Sequence, residues 1–153
     1  IRGREKVAGR LPALPDPARY MRAAAALETA RNPGAAKAAY MAAVKLWPQE
    51  PLPRVGLGNL AAAAGDWIDA ERWSRAVLAD DPSQAAALTN RAEALLRLGC
   101  PDAARLALQR GVLHVAADDP LQPVLQQAVR DLSVQEAPPP ARAAAECMQF
   151  TVR

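Results

Sequence analysis

The sequence predicts an all-α domain, and three observations carry that expectation. Of the 153 residues, 51% are hydrophobic but only 4% aromatic, so the core has to be built largely from alanine and leucine. Alanine loses no side-chain entropy in a helix and lets neighbouring backbones approach closely. Small residues also recur at a fixed spacing, with Ala36, Ala70 and Ala104 in register at a period of 34 residues, which belongs to stacked helical hairpins rather than to a sheet. A chain of this length is one domain in size.

The elements follow in order. Residues 1–16 ("IRGREKVAGRLPALPD") are punctuated by Pro and Gly and read as an irregular lead-in or linker, with no regular helix before Asp16 or Pro17. The three units are expected at about 17–50, 51–84 and 85–120. Within them Ala24, Gly58 and Ala92 form a second column of small residues, and Leu27, Ala61 and Leu95 also fall in register. Arg31, Gly65 and Gly99 fall at the turn between the two helices of each unit. Pro33, Trp67 and Pro101 open the second helix, where a proline's missing N–H is unpaired in any case. Tyr40, Ser74 and Leu108, then Val44, Leu78 and Val112, continue the series, and Pro48 and Pro82 close the first two units. Small residues on both helices of a pair allow a close crossing, and the larger residues one turn away fill the space beside it.

The amphipathic stretch "LQPVLQQAVRDL" is expected to form a capping helix within 121–134, completing a domain of 17–134. Residues 135–153 then begin as a polyproline spacer, "EAPPPARAAAE", and end in "CMQFTVR". That last segment reads as a short extended tail, able to lie across the stack or add to a sheet edge, or as a disordered terminus.

The repeat resembles the tetratricopeptide family. The resemblance rests on "LGNLAAAAGDWIDAERWSRAVLADDP", on "AAKAAYMAAVKLWP" with its Ala36 and Tyr40 pair, and on the prolines near the unit ends. It covers residues 17 to about 132 and implies a right-handed superhelix of three helix-turn-helix repeats plus a C-terminal capping helix. The third unit departs from the pattern, with Arg91 where leucine is usual, Gly111 in mid-helix, and Pro120 four residues late. Since four residues are about one turn, an extended second helix is expected there.

Gly56, Gly58 and Ala61 also spell G-x-G-x-x-A, the pattern that brings a dinucleotide pyrophosphate to a helix N-terminus. A buried strand would have to precede it, whereas "PQEPLPRV" holds three prolines, so no cofactor is expected. His114 is the sole histidine, which leaves no histidine cluster for a metal. It lies about four helical turns from Cys100, beyond reach of a catalytic dyad, and no catalytic residue is assigned. Cys100 and Cys147 are too few for a disulfide framework, lie outside any C-x-x-C pair, and read as structural or surface cysteines that identify no redox compartment. Trp47, Trp67 and Trp73 fit packing between repeats better than a ligand cage, since Trp67 and Trp73 share no clean helical face.

Lys and Arg number 19 against 16 Asp and Glu, a formal net charge of +3. The two signs alternate, as in Asp69, Glu71, Arg72 and Arg75, which is a solvated face rather than a nucleic-acid footprint. Arg2, Arg4, Lys6 and Arg10 form the one local excess. No apolar run reaches the length of a membrane span and no signal-peptide core is present. A chain opening on Ile1 rather than Met is expected of a processed protein or a piece of a longer one, and its compartment stays open.

Recognition is the remaining function class. The tetratricopeptide resemblance implies a concave face lined by the first helix of each unit, including Met21, Ala25, Glu28, Val55, Asn59, Ala62, Thr89, Asn90, Glu93 and Arg97. Asn59 and Asn90 resemble the asparagines with which some such domains hydrogen-bond an extended peptide. The cations of a carboxylate clamp are missing: Val55 stands where lysine would, and Val124 and Ala128 lie near the cap. Arg97 could still pair with one acidic group. The expected partner is therefore a protein or peptide held around Val55, Asn59, Asn90, Glu93 and Arg97. The bland alternative makes both asparagines repeat residues on a solvated face. A competing role is oligomerisation or scaffolding through the ends of the stack, and the oligomeric state is left open. Finally, "ARYMRAAAALE" and "AAYMAAVKLWPQEPLPRVGLGN" resemble the repeat segment that follows a papain-like, bacteriocin-processing type peptidase domain in some bacterial proteins. That resemblance implies a bacterial source, in cytoplasm or cell envelope, and an accessory role beside an upstream cysteine peptidase domain.

Overall fold

The structure, a computed structural model, describes residues 16–134 and 144–150. Three helical pairs follow one another: α1 (Pro17–Thr29) with α2 (Pro33–Leu46), α3 (Leu52–Ala63) with α4 (Trp67–Asp80), and α5 (Ala85–Arg97) with α6 (Pro101–His114). Next, α7 (Leu121–Val134) packs on α6. A single turn of helix, α8 (Ala144–Cys147), runs into a 3₁₀ turn at Met148–Phe150. The lead-in through residue 15, the proline-rich spacer at 135–143 and the final three residues lie outside the described residues.

The turn inside each pair is the same object built three times. Arg31, Gly65 and Gly99 all adopt left-handed backbone, with φ of 57°, 75° and 79°. Behind each, the same two hydrogen bonds close the first helix: Asn32 N–H donates to the Leu27 carbonyl, Asp66 to Ala61 and Cys100 to Leu95, while Arg31, Gly65 and Gly99 donate to Glu28, Ala62 and Leu96. This is the Schellman closure, which satisfies carbonyls that the helix end would otherwise orphan. The residue after the left-handed one then caps the second helix. Asn32 accepts from the Ala35 amide and Asp66 from the Asp69 amide, but Cys100 makes no such bond.

Close crossing within the pairs rests on the small columns. Ala36, Ala70 and Ala104 are completely buried, and Ala24 and Ala92 nearly so. Gly56 and Gly58 stand inside α3, not in a cofactor loop. A Cβ added at Gly56 would come within 2.6 Å of the Tyr40 ring, and one at Gly58 would touch Trp73 and Ser74 at 3.6 Å. Successive first helices also pack on one another, α1 on α3 and α3 on α5.

The third pair corrects one expectation. Helix α6 ends at His114 and, at 14 residues, is no longer than α2 or α4. The extra residues before Pro120 form a loop, because Val115 turns to extended backbone (φ −96°, ψ 135°) to bury its side chain. Gln122 of α7, itself buried, then donates its side-chain amide to the carbonyls of Val112 and Val115, each at 2.7 Å. Another helical turn would withdraw both groups from these partners. Leu125 and Leu132 of α7 join the same core as Leu95, Leu108 and Val115, so α7 covers the end of the stack.

The C-terminal segment corrects two more. Residues 144–150 are helical rather than extended, and Cys147 is disulfide-bonded to Cys100 across 47 residues, with Cα atoms 5.7 Å apart. Phe150 is buried in the core of the third pair.

Left-handed backbone costs a side-chain-bearing residue roughly 1–2 kcal/mol, partly offset by the entropy that glycine loses on folding. Arg31→Gly should therefore stabilise the domain by about 1 kcal/mol, read as a rise of about 3 °C in melting temperature, whereas Gly65→Ala should lower it by a comparable amount. Calorimetry of the two variants checks both signs.

Candidate peptide-binding surface

The first helices α1, α3 and α5 form one continuous face, and the sequence-predicted residues are distributed unevenly on it. Asn59 of α3 and Asn90 of α5 meet side by side, with the Asn90 Nδ2 donating to Asn59 Oδ1 at 2.5 Å. The bond is exposed and joins adjacent units. It leaves the Asn59 Nδ2 as donor and the Asn90 Oδ1 as acceptor, neither with another partner among the described residues. A donor and an acceptor presented together match the C=O and N–H of a peptide backbone.

Arg97 and Glu93 stand apart from that pair. Arg97 is seven residues beyond Asn90 on α5, about 10 Å along the helix axis. Its guanidinium lies 5.4 Å from the centre of the Trp67 ring, and Glu93 approaches it at 3.9 Å. Both charges are largely exposed, so the pair contributes little stability and instead fixes where the cation sits. Val55 is mostly inside the fold: it packs with Val77 and Ala87, and only its edge reaches the surface.

That edge belongs to a cleft between α1 and α3, lined by Ala18, Met21, Ala25, Leu52, Val55 and Asn59. Tyr40 closes its floor over Gly56 and donates its hydroxyl to Glu28. Burial pushes the Tyr40 phenol up, and the hydrogen bond to Glu28 and its negative charge add to the shift. Beyond Tyr40, the Tyr20 hydroxyl donates to the Ala39 carbonyl and its ring meets Trp47 edge to face at 5.3 Å. Trp47 thus packs within the first pair, and Trp73 packs against the core of Ala24, Ala36, Tyr40 and Leu57.

A second polar cluster, on another face of α5, corrects the expectation that Glu71 and Arg75 stand on a solvated face. Glu71 of α4 is 1% exposed and faces Arg75 at 3.3 Å and Arg91 at 3.4 Å. Burial pushes its carboxyl up against the pull of both guanidiniums, and burial likewise pushes Arg91 down. Arg91 also donates to the Phe150 carbonyl at 2.6 Å, and Arg75 to the Gln149 carbonyl at 3.3 Å. The signal was present in the sequence as an arginine in a column that holds Ala23 and Leu57 in the other units. Its partner could not be read, because Phe150 lies 59 residues away. The cysteines occupy the turn at Cys100 and the tail at Cys147, far from His114 at the end of α6, and both sulfurs are in the disulfide.

No family model matches the chain, and no curated protein matches it. Among solved structures it is similar to the first TPR domain of Spaghetti (RPAP3), determined bound to the HSP90 peptide SRMEEVD. The likeness has a TM-score of 0.65 at 14% identity and covers 76% of this chain and 92% of that one. The chain has a tetratricopeptide-like fold. The three Schellman turns and the paired small columns are the residues through which this sequence builds it. Among the described residues no helix is long and apolar enough to cross a membrane, and no cluster of three or more His, Cys, Asp or Glu is placed to hold a metal.

Two measurements follow from these environments. The Tyr40 phenol has a higher pKa folded than unfolded, so its contribution is complete below about pH 10, the unfolded value, and is lost as pH rises above it. The urea midpoint should fall more steeply above about pH 10 in the native protein than in Tyr40→Phe. Arg91→Ala should destabilise the fold by about 3 kcal/mol, since it leaves buried Glu71 with one cation and the Phe150 carbonyl without its donor; chemical denaturation measures it.

Proposed function

We propose that the chain is a protein-binding module that takes an extended peptide segment across the face of α1, α3 and α5. The observation that carries this reading is the exposed Asn59–Asn90 pair, which presents a donor and an acceptor beside an apolar cleft. Main-chain hydrogen bonds supply register and affinity in such a mode, and the cleft supplies side-chain selectivity. The cleft walls at Met21, Leu52 and Val55 favour an apolar residue on the partner. Arg97, held over Trp67, is placed to meet one acidic group two helical turns away. The peptide seen in the RPAP3 domain supports the general mode, but this chain carries Val55, Val124 and Ala128 where a carboxylate clamp would place cations. We therefore favour a largely apolar segment over an acidic chain terminus. An upstream peptidase domain, as the resemblance of the first two units suggests, would make that domain or its substrate the natural partner.

A scaffolding role draws on a different observation. Leu113 is 83% exposed and Val124 54% exposed on the last two long helices, which gives the capped end an apolar surface for another subunit. Light scattering separates this reading from the first, because a monomer at all accessible concentrations removes it.

The peptide reading is tested by selecting ligands for the full chain from a displayed peptide library and titrating the best into native protein and the Asn59→Ala, Asn90→Ala double variant. Loss of two main-chain hydrogen bonds should weaken binding at least about tenfold. An unchanged affinity with an unchanged circular dichroism spectrum would remove the asparagine pair from the function.

A further inference from the structure

The tail segment 144–150 lies against Arg75 of α4 and Arg91 of α5 and is tied to Cys100 at the start of α6, so it borders the groove that runs between α4 and α6. Phe150 is 4% exposed there, within the core that includes Leu88, Leu95 and Ala104. Arg91 and Arg75 each bind one tail carbonyl. The groove that shares Arg75 and Arg91 with the tail runs between Leu78 of α4 and Ala107 of α6, with Arg110 and His114 also lining it. So the fold already contains one peptide seated by one aromatic side chain and two arginine-to-carbonyl bonds.

One of the ties that hold that peptide is covalent, the Cys100–Cys147 bond. Its regular structure is one turn of helix and one 3₁₀ turn, too short to persist alone, and residues 135–143 separate it from α7. The anchoring cysteine stands at the position where the other two pairs place a capping Asn32 or Asp66. Cys100 has exchanged an ordinary cap for a tie to the tail. The two sulfurs differ in access, with Cys100 at 1% exposure and Cys147 half-buried.

We propose that the Cys100–Cys147 disulfide is a redox latch that seats segment 144–150 against the α4–α6 groove, and that its reduction opens this groove to a partner segment carrying a phenylalanine-like side chain. The reductant is a dithiol. One of its thiolates attacks the more accessible Cys147 sulfur, the Cys147–Cys100 bond breaks, and Cys100 leaves as a thiolate that takes up a proton. The second thiol of the reductant then displaces Cys147, which is likewise protonated, so two electrons and two protons pass to the protein and the reductant becomes a disulfide. The partner chemistry is the one the tail displays: an aromatic side chain for the pocket and a main-chain carbonyl for Arg91.

The test uses the full chain. Amide hydrogen exchange is followed in residues 144–150 for the oxidised protein, for the protein reduced with dithiothreitol, and for Cys147→Ser. Exchange in the tail should be at least tenfold faster in the last two, with α1–α6 protected as before. Binding is then read by fluorescence anisotropy of a labelled peptide of residues 144–153 carrying Cys147→Ser, added to full-length Phe150→Ala, whose own tail cannot refill the pocket. The peptide should bind that protein when reduced, bind at least tenfold more weakly when oxidised, and lose binding when it too carries Phe150→Ala. Unchanged tail exchange on reduction overturns the latch, as does loss of protection throughout α5 and α6, which would make the disulfide a structural staple. Equal peptide binding to the oxidised and reduced protein, or none to either, overturns the docking groove. The Asn59→Ala, Asn90→Ala double variant should behave as the native chain in both measurements, which keeps this result separate from the concave-face reading.

Discussion

Everything in this fold depends on how closely the two helices of each pair can cross. Ala36, Ala70 and Ala104 sit at that crossing with no accessible surface, and Ala24, Gly58 and Ala92 oppose them. A side chain larger than a methyl at either column would separate the helices and leave voids that the flanking residues could not fill. With few aromatic residues to supply bulk, the core gains its contacts by proximity. Because the same crossing recurs at each unit, the stack propagates one geometry, and the first helices come to share a face.

The turns carry that constraint along the chain. A left-handed residue followed by a capping residue reverses direction in three positions, and the two Schellman bonds leave the register little freedom. Arg31 adopts this conformation without being glycine, evidence that the geometry is imposed by the paired helices and not merely permitted by the local residue. The asparagine pair is a consequence as well: Asn59 and Asn90 meet because their helices are held one unit apart.

Legibility in the sequence tracked this logic. Period, turn positions and helix starts were readable because each is written locally and repeated, so Arg31, Gly65 and Gly99 could be placed from the sequence. The end of α6 was misjudged because its stop signal is not local: Val115 turns inward and Gln122 captures the carbonyls from the next helix. Cys100 and Cys147, like Arg91 and Phe150, are paired only by the path of the chain in space, and a single sequence carries no mark of such a pairing. For the surface, the type of residue at Asn59 and Asn90 was legible. That Val55 would be mostly buried, and that Arg97 would be directed to Trp67, were not, because both depend on neighbours supplied by α4 and α5.

The third unit shows how a repeat acquires something its siblings lack. In the first two units the column that Arg91 occupies in the third holds an exposed Ala23 and a buried Leu57 and brings no charge, and the turn needs only a polar cap. In the third, Arg91 enters that column and brings a charge that must be met inside the fold; buried Glu71 meets it from the preceding unit, and the tail carbonyl completes it. Cys100 enters the capping position of the same unit and forms a bond to the same tail. Two departures from the repeat, nine residues apart in sequence, therefore converge on one seven-residue segment. Neither substitution is favourable by itself: an unpaired buried guanidinium is costly, and an uncapped helix start loses a stabilising hydrogen bond. Their costs are offset together, because the same short tail meets the Arg91 charge and takes the bond from Cys100.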